Sequence, residues 1–202
     1  DVGGTTRRAI QRFRRGVKPL ECGDLGEHNG NGSLMRILPV VFVPHSFKDV
    51  INVSKLTHAH DISIFACLIY VATVEELLTG IEKKQAVQNG LNKIEHALYI
   101  PVEYASLRFI ESFSRDAIKS TGYVVDTLEA ALWCFLITAS YQDCVLTAVN
   151  LGDDTDTVAA VAGGLAGVYY GCGGEKGIPE KWIDKIARKE WIQELCDGVD
   201  SL

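Results

Sequence analysis

The sequence predicts an all-α protein, and three observations carry that prediction. Apolar residues recur at spacings of three and four along most of the chain, as at Ile62, Phe65 and Ile69. No long alternating run of apolar and polar residues, the pattern of a half-buried strand, competes with them. The 202 residues, 47% of them apolar, suffice for a core of their own. We therefore expect residues 1–202 to form a single, compact, multi-helix domain.

The predicted helices follow from this periodicity and from the residues at their boundaries. Thr5 is a candidate cap for an N-terminal helix, and Pro179 occupies the first-turn position of the last helix. Apolar positions from Val50 to Ala72 continue the helical pattern. About eight helices are expected in all, and the later ones lie near 84–98, 104–113, 124–139, 141–150, 156–170 and 179–197. The glycine-rich segment 171–177 predicts a turn between two of them.

The helix over 156–170 has a composition that predicts a central position. Its apolar stripe is Val158, Val161, Leu165 and Val168. Most of the remainder is small, including three glycines, Gly163, Gly164 and Gly167. A glycine inside a helix costs about 1 kcal/mol relative to alanine. Close approach of neighbouring helices on several sides would offset that cost, so we expect this helix to be buried.

Charge and hydropathy exclude some classes of protein. The formal charge of −6 argues against a nucleic-acid-binding surface, which needs clustered basic residues. One local basic cluster exists, and we interpret it as a solvated helix face: Arg7, Arg8, Arg12, Arg14, Arg15 and Lys18. No apolar run approaches the roughly 20 residues that cross a bilayer, so no membrane contact is expected.

The six cysteines predict a reducing compartment. No C-x-x-C pair occurs, and Cys67 and Cys134 lie in apolar helical runs where cysteine behaves as a small hydrophobic residue. We therefore expect a cytoplasmic protein. The chain does not begin with Met, which favours a fragment of a longer protein.

A cluster of carboxylates and hydroxyls stands directly before the central helix, in the sequence L-G-D-D-T-D-T over 151–157. Asp and Thr accept hydrogen bonds from the free amides at a helix start, so helix capping is one interpretation. The oxygens of Asp154, Asp156 and Thr157 could instead converge on Mg²⁺ or Mn²⁺, which would balance their charge. The spacing alone leaves both interpretations open.

Two further segments could contribute to a site. The loop H-N-G-N-G-S-L-M-R over 28–36 contains two Asn-Gly steps, typical of a surface turn, although exposed amides in such a loop can also bind anions. His58 and His60 stand two residues apart, which on one helix would place them about 200° apart, so they cannot share a metal. An isolated histidine is more often structural than functional.

Together these motifs resemble the ADP-ribosylglycohydrolase family. The resemblance rests on G-D-D-T-D-T followed by V-A-A-V-A-G-G-L-A-G-V-Y-Y-G, on N-G-N-G-S-L-M-R upstream, and on G-Y-V-V-D-T-L-E-A-A-L-W over 122–133. It spans nearly the whole chain. It implies a compact all-α fold and hydrolysis that releases ADP-ribose from a modified protein side chain or a small ADP-ribosyl compound. It also implies two Mg²⁺ or Mn²⁺ ions that activate water at the anomeric carbon.

The resemblance assigns roles to particular residues. It implies metal ligation by Asp154, Asp156 and Thr157, with Asp153 less suited to that role. It implies substrate contacts through the backbone amides and short side chains of Gly30, Asn31, Gly32 and Ser33. It implies further substrate contacts by Met35, His58 and Tyr123. Gly122 is a weaker assignment, and His58 is preferred to His60.

The family pattern departs from this chain at its start. The G-D-x-x-G and T-D-D-T segments, which the resemblance assigns to the catalytic acid and the remaining metal ligands, do not occur in residues 1–202. The chain therefore corresponds to the C-terminal two-thirds of the family's fold, and no catalytic residue can be named. A non-catalytic relative, either crystallin-like or only binding ADP-ribose, is the alternative. A monomer or weak dimer is expected.

Overall fold

The structure, a computed structural model, describes residues 2–26 and 29–199. Helices make up most of these ranges, and three isolated β-bridges are the only strand-like pairing within them. The α-helices are α1 (Gly4–Arg14), α2 (Phe47–Lys55), α3 (Asp61–Leu78), α4 (Lys83–Ala97), α5 (Val124–Ile137), α6 (Tyr141–Val149), α7 (Thr155–Tyr170), α8 (Glu180–Ile183) and α9 (Lys189–Val199). The predicted all-α fold is confirmed. His28, in the predicted loop, lies outside the described residues.

Short 3₁₀ helices connect several of these elements: Pro19–Glu21, Leu34–Arg36, Leu38–Phe42, Val102–Ser112 and Arg115–Ala117. The predicted helix near 104–113 is therefore a 3₁₀ helix. Its buried residues, Tyr104, Leu107 and Ile110, are spaced by three, which matches the three residues per turn of a 3₁₀ helix.

Three predicted boundaries were wrong. The first helix is preceded by Gly3, so Thr5 lies inside its first turn instead of capping it. Pro179 is the residue before α8, one position earlier than predicted. The single helix expected over 179–197 is two helices, because the chain between them includes Arg188 with a left-handed φ of 57°.

The central position predicted for α7 is confirmed. This helix packs against α5, α6, α3 and the 3₁₀ helix Leu34–Arg36. A Cβ on Gly164 would lie 2.3 Å from the hydroxyl of Tyr70 on α3, and a Cβ on Gly163 would lie 3.4 Å from the hydroxyl of Tyr141 on α6. The missing side chains therefore allow the close approach of two neighbouring helices.

The basic cluster and the cysteines are placed as the sequence predicts, with most of the cluster exposed and the cysteines unpaired. Five of the six residues of the basic cluster are exposed, and Arg12 is half-buried; Arg8 pairs with Asp24. All six cysteines are free, and Cys22, Cys67, Cys134 and Cys144 are buried. None of the helices within the described ranges has the length and apolar character that a membrane span requires.

Candidate functional site

Three segments that are distant in sequence meet along their backbones. The amide of Asn31 donates to the carbonyl of Gly122 at 3.1 Å, and the amide of Val124 donates to the carbonyl of Asn29 at 2.8 Å. The amide of Asp154 donates to the carbonyl of Ser120 at 3.0 Å. The segment over 120–124 thus lies between the Asn-Gly loop and the start of α7, and the motifs noted in the sequence form one continuous wall.

This wall borders a cavity of about 570 Å³. Most residues singled out in the sequence line it: Gly30, Asn31, Gly32, Met35, His58, Gly122, Asp154, Asp156 and Thr157. Two of them do not. Ser33 is fully buried behind the loop, and Tyr123 stands half exposed outside the lining.

Asn31 links the loop to the start of α7. Its side chain is 9% exposed, and its Nδ2 donates to Oδ2 of Asp154 at 2.6 Å and to Oγ1 of Thr127 at 2.8 Å. Its backbone amide is already bound to Gly122. Both nitrogens therefore donate within the protein, and the substrate contact expected for Asn31 remains a prediction.

The carboxylate of Asp154 does not cap α7. Asp154 is the residue that precedes the helix, yet its side chain accepts no hydrogen bond from the helix amides. Asn31 holds it towards the cavity instead. The capping interpretation is therefore wrong for the Asp154 side chain, and its carboxylate is directed at the site.

The oxygen donors at the start of α7 match part of the set that a hard divalent cation takes. Asp154, Asp156 and Thr157 supply two carboxylates and a hydroxyl to the same cavity, and these are the ligand types that Mg²⁺ and Mn²⁺ prefer. Asp156 is exposed and Thr157 is buried. Within the described residues, no group of three or more His, Cys, Asp or Glu side chains is arranged to hold a metal. Water or further residues would have to complete the coordination.

His58 is held from several sides. Its ring is 3% exposed, and its backbone forms a parallel bridge with Asp24 and accepts a hydrogen bond from Oγ of Ser54. Its Nδ1 lies 2.7 Å from Oγ1 of Thr57, while its ring faces Gly30 and the neighbouring loop. Thr57 therefore occupies Nδ1 of His58, and the part of the ring that faces the glycine loop is the edge with Cε1 and Nε2.

Burial lowers the pKa of His58 to about 4, with further lowering by Arg36 and Arg8 that the carboxylate of Asp24 opposes. The imidazole is therefore neutral near pH 7. The other histidine of the pair, His60, precedes α3 and accepts a hydrogen bond from the amide of Ile62. The two imidazoles do not share a helix, because they occupy the connection between α2 and α3.

Two contributors to the cavity were not predicted from the sequence. One is the start of α1, where Gly3, Gly4, Thr5 and Thr6 line it. That helix end has no side-chain cap and no acidic residue in its first turn, so its partial positive charge favours an anionic group. The other is Arg36, which also lines the cavity. Arg36 ends the N-G-N-G-S-L-M-R segment, but its residue type alone does not predict that it lines the cavity.

The protein is all-helical, and one cavity brings together three features. These are glycine-rich backbone, the positively polarised start of α1 and the oxygen donors at the start of α7. The ADP-ribosylglycohydrolase family model matches residues 1–202. The chain belongs to the ADP-ribosylglycohydrolase family.

Individual relatives agree with this family. The chain is 35% identical over 211 residues to "ADP-ribosylarginine hydrolase Tri1" of Pseudomonas putida (strain GB-1), covering 98% of this chain and 53% of that protein. It is 32% identical over 210 residues to "ADP-ribosyl-[dinitrogen reductase] glycohydrolase" of Rhodospirillum rubrum, covering 100% of this chain and 65% of that protein. The chain thus spans between about half and two-thirds of the length of these relatives.

A solved structure described as "ADP-ribosylglycohydrolase-related protein complex" shares the fold. It superimposes with a TM-score of 0.79 at 30% identity, over 98% of this chain and 68% of that one. The similarity therefore extends over almost the whole described fold.

Proposed function

We propose that the cavity binds ADP-ribose and that the protein is a hydrolase that releases it from a modified arginine side chain of a protein substrate. The observation that carries this proposal is the convergence of the Asn-Gly loop, the 120–124 segment and the start of α7 on one cavity. The names of two relatives, an ADP-ribosylarginine hydrolase and an ADP-ribosyl-[dinitrogen reductase] glycohydrolase, support the substrate class. They do not favour the non-catalytic alternative.

The polar groups of the cavity suit such a ligand. The start of α1 and the neighbouring guanidinium of Arg36 favour a negatively charged group such as a diphosphate. Gly30 and Gly32 allow close approach because they carry no side chain. Met35, 51% exposed at the cavity, offers apolar surface to a base or a sugar.

Asp154, Asp156 and Thr157 would hold Mg²⁺ or Mn²⁺ as proposed metal ligands. Bound divalent ions would polarise a water molecule and stabilise charge as the anomeric bond breaks. The link from Asn31 orients Asp154 for this role, because it fixes one carboxylate oxygen at 2.6 Å. Asp154 and Asp156 are the only acidic side chains that line the cavity within the described residues, so no separate general acid or base is assigned.

The proposed compartment is the cytoplasm. All six thiols are free, four of them in the core, which suits a reducing environment. The proposed partner is then an intracellular ADP-ribosylated protein, met by a monomer or weak dimer.

The test is release of ADP-ribose from a protein carrying ADP-ribosylarginine by the full-length gene product, measured by chromatography with excess Mg²⁺ or with a chelator. Turnover should need the metal, should be lost in Asp156→Ala, and should persist in Asp153→Asn, whose exposed side chain is outside the cavity lining. Binding of ADP-ribose with no turnover on any ADP-ribosylated substrate would contradict the hydrolase and support the non-catalytic alternative.

A further inference from the structure

We infer that Arg36 and Thr57 are positioning residues that fix the proton of the His58 imidazole on Nε2, the nitrogen facing the cavity. This inference deepens the proposed function, because it names the group that presents His58 to an oxygen of ADP-ribose. It rests on the hydrogen bonds that join the three residues and on the position of the ring.

Arg36 lines the cavity and is half-buried. Its guanidinium donates to the carbonyl of Gly32, to the carbonyl of Val53 at 3.1 Å and to Oγ1 of Thr57 at 2.7 Å. All three acceptors are uncharged, and the guanidinium forms no ion pair with a carboxylate among the described residues. The residue therefore ties the Asn-Gly loop to the segment that carries His58.

The proton positions follow from the donors available at Thr57. A hydroxyl has one proton to donate and two lone pairs. Its oxygen accepts from Arg36, which has donors only, and among the hydrogen bonds of the described residues Nδ1 of His58, at 2.7 Å, is the one acceptor for its proton. A proton on Nδ1 would leave the hydroxyl proton without an acceptor. Nδ1 is thereby an acceptor. A neutral imidazole carries one proton, so that proton lies on Nε2.

The position of Nε2 makes this tautomer useful. A Cβ built on Gly32 would lie 3.3 Å from Nε2 and 2.8 Å from Cε1, and one on Gly30 would lie 3.7 Å from Nε2. The nitrogen thus lies beside Gly30 and Gly32, which line the cavity together with His58. An N–H there donates to a phosphate or hydroxyl oxygen, whereas the opposite tautomer would present a lone pair to the same oxygen.

The experiment compares the protein with Thr57→Val, which removes the hydroxyl at nearly constant shape, and with Thr57→Ser, which restores it. Long-range ¹H–¹⁵N NMR identifies the tautomer of His58, with His58→Gln assigning the signal. The protein and Thr57→Ser should show the proton on Nε2, and Thr57→Val should show a substantial population with the proton on Nδ1. Calorimetry should show ADP-ribose bound roughly tenfold more weakly by Thr57→Val and tight binding restored by Thr57→Ser.

A second variant keeps the inference testable if Thr57→Val does not fold. Arg36→Lys keeps the positive charge but replaces the planar fork that reaches three oxygens, so it should loosen Thr57 and mix the tautomers. A His58 proton on Nδ1 in the unaltered protein, or an Nε2 proton unchanged in every folded variant, would overturn the inference. If the tautomer changes as expected but the unaltered protein binds no ADP-ribose, the positioning role stands and the proposed function fails.

Discussion

Gly164→Ala tests how closely α7 approaches α3. The added Cβ would lie 2.3 Å from the hydroxyl of Tyr70 and 3.0 Å from Cδ2 of Leu38. Tyr70 is fully buried, and its hydroxyl donates to the carbonyl of Val161 at 3.0 Å. The ring cannot turn into solvent, so the helices must separate or the hydrogen bond must break.

The expected cost follows from these contacts. Overpacking a core costs about 1–3 kcal/mol, and leaving a buried hydroxyl unpaired costs about 1–3 kcal/mol more. Better helix propensity returns about 1 kcal/mol. Gly164→Ala should therefore lower the free energy of unfolding by roughly 1–5 kcal/mol, measured by urea denaturation.

The matched control is Gly167→Ala on the same helix. Its Cβ would meet nothing closer than 3.7 Å, so the change should be neutral or stabilising by up to about 1 kcal/mol. Adding Tyr70→Phe to Gly164→Ala removes the clashing hydroxyl and should recover at least about 1 kcal/mol beyond additivity. Equal stabilities for the two glycine variants, or purely additive changes, would refute the packing account.

Three further predictions concern the cavity. Asn31→Asp places a carboxylate beside Oδ2 of Asp154 and should lower the free energy of unfolding by about 2–3 kcal/mol. The double variant Asn31→Asp with Asp154→Asn should recover most of that loss. No recovery would show that the 2.6 Å contact is not its cause. Because the folded-state pKa of His58 is about 4 against 6.5 for the free side chain, the unfolded chain takes up the proton first as pH falls. Stability should drop by roughly 3 kcal/mol between pH 6.5 and 4, and His58→Gln should lack that part of the drop. Mg²⁺ should raise the melting temperature of the protein and of Asp153→Asn, whereas an equal rise in Asp156→Ala would argue against ligation there.

Periodicity and composition were sufficient for the fold class and for the central position of α7. The same signal could not distinguish the 3₁₀ helix around Leu107 from an α-helix, because three buried positions spaced by three suit a short stretch of either. It also missed the interruption at Arg188, since a left-handed backbone at a basic residue leaves no mark in the pattern.

The candidate site was predictable as separate motifs but not as a set of contacts. The hydrogen bond from Asn31 to Asp154 joins residues 123 positions apart, and only the tertiary fold brings the asparagine to this carboxylate. The residue type of Arg36 alone does not predict its contacts. Its role depends on burial and on three oxygens supplied by other segments.

Titration of ADP-ribose into the protein by isothermal calorimetry tests the central claim most directly. One ADP-ribose should bind per chain, and Gly32→Ala should weaken that binding at least tenfold, because its Cβ would lie 2.8 Å from Cε1 of His58 and displace the ring or the loop. Asp153→Asn, outside the cavity lining, should bind as the protein does. No binding by the unaltered protein, or equal affinity in Gly32→Ala, would contradict a pocket formed by the Asn-Gly loop and His58.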